Sequence, residues 1–238
     1  TGILSALVKG KYNILISGAT NSGKSSLLNA LAEYIGQEER VITIEDSAEL
    51  QLFHVDNLVR LETRNANVEG ANEITMQDLI KASLRMRPDR IIVGEVRGAE
   101  AMSMLQALST GHSGSFSSIH ANSCRDALRR LETMVLMGMD MPLGAIQGLI
   151  ASSVDILIHL GRCLNGERKI LEISEIKDYS RTEYETHTLF QYDKDHGLEI
   201  REELFHVEKL KDYGQYEKYC EAVKLFREGR AEQKKARA

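Results

Sequence analysis

The segment that decides the fold lies near the start of the chain and reads Gly18, Ala19, Thr20, Asn21, Ser22, Gly23, Lys24 and Ser25. It matches the P-loop pattern G-x-x-x-x-G-K-[S/T] at every fixed position. An apolar, β-prone run at 12–17 precedes it, and residues 24–35 follow with apolar side chains at helical spacing. A strand, a glycine loop and a helix are the arrangement this motif needs. The match therefore predicts a phosphate-binding loop rather than a chance glycine-rich turn.

The predicted loop has a physical way of holding phosphate. Its glycines let the backbone curl so that successive N–H groups point at phosphate oxygens, and the following helix adds its free N–H groups and dipole. Lys24 would reach the β- and γ-phosphates, the Ser25 hydroxyl would bind Mg²⁺, and Ser26 would lie near the α-phosphate. The segment thus predicts a site for a nucleoside triphosphate, with ATP and Mg²⁺ as the expected ligands.

Length and composition limit the class of protein. The 238 residues predict one large domain, or one domain with an appendage, and the net charge of −5 disfavours a dedicated nucleic-acid binder. The three cysteines are far apart, which predicts a reduced, cytoplasmic protein without disulfides or a zinc site. Polar residues interrupt the most apolar stretch, 145–160, so no membrane span is expected. The chain reaches its P-loop almost at once without an initiator methionine, and we expect it to be a fragment.

Strand and helix patterns alternate after the P-loop. Strands are predicted at 40–46, 58–62, 90–96, 115–120 and 154–160, and helices at 75–85, 99–108, 123–137 and 143–152. This alternation predicts an α/β fold with a mostly parallel sheet flanked by helices on both faces.

The pattern changes at about Arg162. Asn165 and Gly166 predict a hairpin between 158–160 and 169–173, and residues 195–197 predict another between 184–192 and 198–207. Residues 208–238 are charged and helix-prone, which predicts a surface helix. We therefore predict a P-loop core over residues 1–178, with a β-hairpin and helical tail appended over residues 179–238.

Two predicted strands end in acids that could act on a bound triphosphate. Ligands of α/β sheets lie beyond the carboxyl ends of the strands, so Glu45 and Glu95 are expected near the phosphates. Hydrolysis needs Mg²⁺ ligation, a positioned water and charge stabilisation. Glu95 would reach the metal or polarise the water, although Gly94 holds the position where a Walker B strand usually carries its aspartate. The competing interpretations are a solvated charge for Glu95 and an ion pair with Arg40 or Arg60 for Glu45.

Four ordered motifs resemble those of the type II/IV secretion traffic ATPases. They are the P-loop, residues 43–49 (TIEDSAE), residues 85–98 (RMRPDRIIVGEVRG) and residues 110–122 (TGHSGSFSSIHAN). Two further runs, RLETR at 60–64 and RLETMVLM at 130–137, are most similar to the CpaF/TadA-type ATPases of Tad (Flp) pilus assembly. The resemblance covers roughly residues 12–176.

The resemblance implies a RecA-like core that works as a homohexamer and hydrolyses ATP with Mg²⁺. Glu45 would orient or deprotonate the attacking water, while Glu95 would serve Mg²⁺ together with Ser25, or share the role of Glu45. His120 would sense the γ-phosphate, and His112 would be structural or at a subunit contact. The family's N-terminal domain, which covers the nucleotide and supplies arginines, is expected to be missing. The candidate arginines in this chain are Arg60, Arg64, Arg85 and Arg97.

Several functions share these features. The resemblance implies a cytoplasmic motor, peripheral to the inner membrane, that powers pilus assembly or protein secretion through a platform protein in that membrane. A conjugation-type secretion ATPase is the alternative. A RecA-like nucleic-acid translocase is disfavoured by the acidic charge and the few aromatic residues, and no direct nucleic-acid partner is expected. The paired acids disfavour a switch without hydrolysis.

Overall fold

The computed structural model describes residues 2–68, 70–163, 166–180 and 183–237. Within these ranges the strands are β1 (Ile14–Gly18), β2 (Arg40–Glu45), β3 (Asn57–Glu62), β4 (Arg90–Val96), β5 (Phe116–Ile119), β6 (Ile156–Arg162), β7 (Arg168–Ser180), β8 (Glu183–Asp193) and β9 (Gly197–Ile200). The helices are α1 (Gly2–Lys9), α2 (Lys24–Ala32), α3 (Met76–Ser83), α4 (Glu100–Ser109), α5 (Cys124–Gly138), α6 (Leu143–Ser153), α7 (Glu208–Asp212) and α8 (Tyr216–Arg237).

The strands form one sheet in the order β3-β2-β4-β5-β1-β6-β7-β8-β9. The first six strands of this order run parallel, and the last three pair antiparallel. The predicted α/β fold with a mostly parallel sheet and a C-terminal hairpin is thereby confirmed. The carboxyl ends of all six parallel strands lie at one edge of the sheet, with β1 and its P-loop near the middle.

Each face of the sheet carries its own hydrophobic core. Helices α3 to α6 pack on one face, and α1, α2, α7 and α8 pack on the other. Strand β1 contributes to both, because alternate side chains point to opposite faces: Leu15 joins the first core, and Ile14 and Ile16 join the second. All five β1 residues are buried, as expected for a central parallel strand. The P-loop therefore begins from a rigid support.

Predicted helix starts are confirmed by their caps. At α3 the Thr75 hydroxyl accepts from the Asp78 N–H at 3.1 Å, and the Asp78 carboxylate accepts from the Thr75 N–H at 3.2 Å. This is the capping box expected from residues 75–78. At α5 the Ser123 hydroxyl accepts from the Asp126 N–H at 3.0 Å.

The structure corrects the predicted course of the C-terminal part. The strand predicted over 198–207 ends at Ile200, and the N–H groups of Phe205 and His206 instead donate to the buried Glu175 carboxylate, each at 2.7 Å. The helix predicted over 208–238 is divided into α7 and α8 because Gly214, at φ +62°, turns the chain between them. Helix α1, which was not predicted, packs against α8.

The predicted core ends within the antiparallel part of the sheet. The division of the chain at 178/179 stays a prediction, and β7 runs across that position in the same sheet. Asn165 of the predicted turn lies outside the described residues, while β6 and β7 on either side pair antiparallel as expected. Over the described ranges, no helix combines the length and apolar character needed to cross a membrane.

Candidate nucleotide-binding site

A cavity of about 570 Å³ opens at the carboxyl edge of the parallel strands. It is lined by residues 20–26 of the P-loop, by the ends of β2 and β4, by the segment after β2, by His120 after β5, and by Arg168 of β7. Its volume lies in the range of small-molecule sites, and its position is where α/β sheets bind ligands. Of the predicted site residues, Gly18 and Ala19 lie beneath the cavity and contribute main-chain carbonyls.

The P-loop backbone has the curl that the sequence predicted. Gly23, immediately before α2, adopts φ +99°, and Asn21 adopts φ +60°. Residues other than glycine and asparagine rarely adopt a positive φ. The Lys24 ammonium donates to the carbonyl oxygens of Gly18 at 3.1 Å and Ala19 at 3.3 Å. Burial lowers the pKa of Lys24, and the nearby Glu95 carboxylate opposes that shift. A cation is therefore held inside the loop where phosphate would bind.

A β-bulge turns Glu95 toward this cation. Val93 pairs with Ser117 and Val96 pairs with Ile119, so Gly94 and Glu95 together oppose a single residue of β5. Glu95 Oε1 consequently lies 3.6 Å from Lys24 Nζ and 2.8 Å from His120 Nε2. The one-residue offset from the usual Walker B position is compensated by the bulge, which re-aims the side chain.

The two oxygens of Glu95 differ in their partners. Oε2 accepts from Arg97 Nε at 2.7 Å, and Arg97 Nη2 forms an ion pair with it at 2.6 Å. Oε1 is buried and accepts no hydrogen bond from the described residues, since the short approach of His120 lacks hydrogen-bond geometry. A buried carboxylate oxygen without a donor costs free energy unless a ligand satisfies it.

Glu45 forms the floor of the cavity and is 5% exposed. Its Oε1 accepts from the N–H groups of Glu49 and Leu50, both at 3.0 Å. Burial raises the pKa of Glu45, and these two hydrogen bonds oppose the rise. Its side chain crosses Gly94, where an added Cβ would lie 3.1 Å from Glu45 Cγ. The glycine at the usual Walker B position thus makes room for the acid of the neighbouring strand.

The alternative ion pair of Glu45 with Arg40 is not formed, and Arg60 acts on Glu45 only through its charge, which opposes the rise in the pKa of Glu45. Arg40 donates to the Met86 carbonyl at 2.7 Å and to Asn57 at 2.6 Å. The donors to Glu45 are main-chain N–H groups, which orient the carboxylate without neutralising it.

Of the candidate arginines and histidines, only Arg97 and His120 line the cavity. Arg97 lines the cavity, whereas Arg64 donates to the Asn72 carbonyl at 2.8 Å, and Arg60 and Arg85 are exposed away from it. The His120 ring lies between Lys24, 3.3 Å from Nδ1, and Glu95. His112 lies at the opposite edge of the sheet, with Nδ1 3.2 Å from the Ala107 carbonyl.

Two cavity residues were missed from the sequence. The Ser25 hydroxyl donates to Glu49 Oε2 at 2.6 Å, so Glu49 ties the segment after β2 to the start of α2. Glu49 lies within the 43–49 motif, but an acid in a loop carries no spacing signal of its own. Arg168 reaches the cavity from the β6–β7 hairpin, and no local pattern in the sequence places that hairpin beside the P-loop.

The residues present fit a bound Mg²⁺ ion. The Ser25 hydroxyl and Glu95 Oε1 offer oxygen atoms of the kind Mg²⁺ prefers as ligands, and Oε1 accepts no hydrogen bond from the described residues. Within the described parts of the chain, no three His, Cys, Asp or Glu side chains converge on a metal position. That is compatible with Mg²⁺, which usually takes one or two protein ligands and completes its shell with phosphate oxygens and water.

Comparison with known proteins extends the similarity beyond single motifs. The model of the family described as "Type II/IV secretion system protein" matches residues 1–231. A Mycobacterium tuberculosis protein named for conjugal transfer is 40% identical over 176 residues, which cover 74% of this chain and 49% of that protein. Conjugal transfer protein TrbB of Rhizobium radiobacter is 36% identical over 191 residues, 79% of this chain and 55% of TrbB. The chain thus spans about half the length of the curated relatives it matches.

A solved structure carries the same fold. The VirB11 ATPase of the Brucella suis type IV secretion system, in complex with sulphate, superposes with a TM-score of 0.65 at 35% identity. The match covers 71% of this chain and 50% of the VirB11 chain. The similarity therefore joins sequence, family model and three-dimensional structure over most of the chain.

Proposed function

Because the chain belongs to the type II/IV secretion system protein family, we propose that it is the ATP-hydrolysing part of a cytoplasmic secretion motor. The observation that carries this proposal is the cavity in which Lys24, Glu45, Glu95 and His120 converge on the P-loop. The Brucella suis relative is an ATPase of a type IV secretion system, which supports the same activity here.

In the proposed mechanism the P-loop N–H groups and the α2 N-terminus bind the β- and γ-phosphates of ATP. Lys24 exchanges its two carbonyl partners for phosphate oxygens. Ser25 and Glu95 would hold Mg²⁺, which would neutralise charge on the same phosphates. Arg97 holds the Glu95 carboxylate in place through a hydrogen bond from Nε and an ion pair with Nη2, both to Oε2.

Glu45 is assigned as the base for the attacking water. Burial has raised its pKa, which makes its carboxylate a stronger proton acceptor than an exposed glutamate. The water oxygen bonds to the γ-phosphorus, the bond from that phosphorus to the bridging oxygen of ADP breaks, and Glu45 takes the proton. His120 donates a hydrogen bond to a γ-phosphate oxygen.

The site would drive movement by favouring one arrangement of domains. ATP bound between this core and a second domain stabilises a closed state, and product release allows it to open. We propose that the intact protein does this as a homohexamer, peripheral to the inner membrane, on a platform protein in that membrane.

The machine it serves is the finer part of the proposal. The motifs at 60–64 and 130–137 favour assembly of a Tad-type pilus. The relatives named for conjugal transfer favour the alternative, a conjugation-type secretion ATPase. Disrupting Glu95 in the native host separates the two, because one predicts loss of surface pili and the other predicts loss of plasmid transfer.

The activity is tested by phosphate release from Mg-ATP. We expect Glu45→Gln and Glu95→Gln to lower the turnover at saturating ATP by about 100-fold or more, because each removes a carboxylate that acts on water or metal. The matched control is Glu62→Gln, which alters the acid at the end of the neighbouring strand β3, outside the cavity lining. Lys24→Ala should abolish nucleotide binding. Turnover of both cavity variants equal to that of the unaltered chain would refute the catalytic assignment.

A further inference from the structure

One cation of the cavity has no role in the proposed mechanism. Arg168 begins β7, directly opposite Arg162 at the end of β6. Strand β6 is the neighbour of β1, and Gly18 pairs with Leu160. The β6–β7 hairpin therefore extends past the end of β1 and lies beside the P-loop.

The contacts of the hairpin set Arg168 apart from its two cationic neighbours. The Arg162 guanidinium donates to the Gly166 carbonyl at 3.1 Å, within the hairpin. Lys169 pairs with Glu167 at 2.8 Å and donates to the Tyr192 hydroxyl at 3.2 Å. The Arg168 side chain instead crosses to the P-loop, where its Cδ lies 3.5 Å from the position of a Cβ on Gly23. No carboxylate among the described residues lies within ion-pair distance of Arg168.

The position of Arg168 relative to the acids defines which phosphate it would meet. Glu45 and Glu95 come from β2 and β4, on one side of β1, whereas Arg168 comes from β7, on the other side. A nucleotide whose γ-phosphate lies against the acids directs its α-phosphate and nucleoside toward the opposite wall. An arginine on that wall is suited to phosphate oxygens, since its planar guanidinium can donate two hydrogen bonds at once.

We propose that Arg168 binds the α-phosphate of the nucleotide, so that the β6–β7 hairpin forms the wall of the site opposite the acids. This inference rests on the proposed function, because it assumes that the cavity binds ATP. Gly23 contacts this wall, since a Cβ there would lie in ordinary van der Waals contact with Arg168 Cδ, and its positive φ is strained for any other residue.

An α-phosphate contact has a distinct kinetic signature. ATP and ADP share the α-phosphate, and the bond that breaks lies beyond the β-phosphate. The contact therefore stabilises ground state and transition state equally, which affects KM rather than kcat. A residue acting on the transferred phosphate would instead change kcat.

The test compares Arg168→Ala, Arg168→Lys and the control Arg162→Ala in this chain. Calorimetric titration measures binding of ADP and of a non-hydrolysable ATP analogue, and phosphate release gives KM and kcat. We expect Arg168→Ala to weaken both ligands by about tenfold and to raise KM similarly, with kcat within about twofold, as for loss of one charged hydrogen-bonding partner. Arg168→Lys keeps the charge and should give intermediate affinity, and Arg162→Ala should bind like the unaltered chain.

Two results would overturn the assignment of Arg168. One is unchanged affinity in Arg168→Ala, equal to that of Arg162→Ala. The other is a fall in kcat at constant KM, which would move Arg168 to the γ-phosphate. Failure of the unaltered chain to bind either nucleotide would refute the proposed function itself, and is thereby distinguished from failure of this inference.

Discussion

The amino and carboxyl edges of the parallel sheet both bury charged side chains, but they satisfy them differently. At the amino edge, Glu39 accepts from Arg90 Nε at 2.8 Å and Nη2 at 3.1 Å, and it also pairs with Lys11. Arg90 is 1% exposed and gives its third donor to the Gly114 carbonyl at 2.8 Å. Burial alone would raise the pKa of Glu39, but hydrogen bonds from Arg90 and Lys11 hold it at about 2.

At the carboxyl edge, burial rather than hydrogen bonding decides the direction of the pKa shifts. Burial shifts the pKa of Lys24 down and that of Glu45 up, so both groups are pushed toward their neutral forms. Glu95 Oε1 is buried and has no hydrogen-bond donor among the described residues. Charges at the amino edge satisfy one another, whereas at the carboxyl edge one buried carboxylate oxygen, Glu95 Oε1, accepts no hydrogen bond from the described residues and is open to a ligand, as is common at functional sites.

The largest expected effect concerns the amino edge. Arg90→Ala leaves the Glu39 carboxylate and the Gly114 carbonyl without their main donors, and should lower the free energy of unfolding by about 3–5 kcal/mol. Urea denaturation measures it. Arg97→Ala is the control, because its side chain is 63% exposed and should cost less than about 1 kcal/mol. Equal losses in the two variants would break the contrast between the edges.

The second largest expected effect is a loss of stability in acid, caused by protonation of Glu39 at the amino edge. The folded-state pKa of Glu39, about 2, lies below its ordinary value of 4.5, so its stabilisation is complete above 4.5 and is lost as the pH falls toward 2. Between about pH 6 and about pH 3, the unaltered chain should lose roughly 2 kcal/mol more than Glu39→Gln. The measurement is urea unfolding at both pH values. Parallel losses in the two proteins would show that Glu39 is not the group responsible.

A smaller effect tests how the carboxyl edge is shaped. Gly94→Ala would place a Cβ 3.1 Å from Glu45 Cγ. Displacing this acid should lower ATP turnover by about tenfold, since misplacing a catalytic group by a fraction of an ångström is costly. Gly148→Ala is the control, because an added Cβ there meets nothing within 4 Å. Phosphate release is the readout, and normal turnover in Gly94→Ala would mean that Glu45 can move without consequence.

The smallest expected effect is on the free energy of unfolding of Glu45→Gln, which should rise, whereas the first two predictions are losses of stability. The folded-state pKa of Glu45 is raised, so its contribution to stability is present below its unfolded pKa and is lost as the pH rises through the folded value. At neutral pH, Glu45→Gln should therefore raise the free energy of unfolding while turnover falls. Glu39→Gln should lower it. Destabilisation by both variants would contradict the difference between the edges.

Much of the fold followed from local patterns. The P-loop, the alternation of strands and helices, and the capping box at Thr75 depend on neighbouring residues, and the sequence carries those signals directly. The strand expected after His196 failed beyond Ile200, because a buried acid 30 residues away, Glu175, takes the N–H groups of that segment. No local pattern contains that contact.

The site residues also fall into those that local sequence predicts and those that depend on tertiary packing. Lys24 and Ser25 could be identified from spacing alone, and Glu45 and Glu95 from their places at strand ends. The bulge that re-aims Glu95 depends on a register shift with β5, and the approach of Arg168 depends on where a later hairpin lies. Both are products of tertiary packing. The domain boundary at 178/179 and the individual roles of the site residues stay predictions.

The central claim is that the charged side chains gathered at the carboxyl edge form the ATP site. A crystal structure with Mg²⁺ and a non-hydrolysable ATP analogue tests it most directly. We predict the terminal phosphate within hydrogen-bond distance of Lys24 and His120, with Glu95 Oε1 directed at the metal or its water and Glu45 facing the γ-phosphorus. An analogue bound elsewhere, or Glu45 and Glu95 both turned away from its phosphates, would contradict the account.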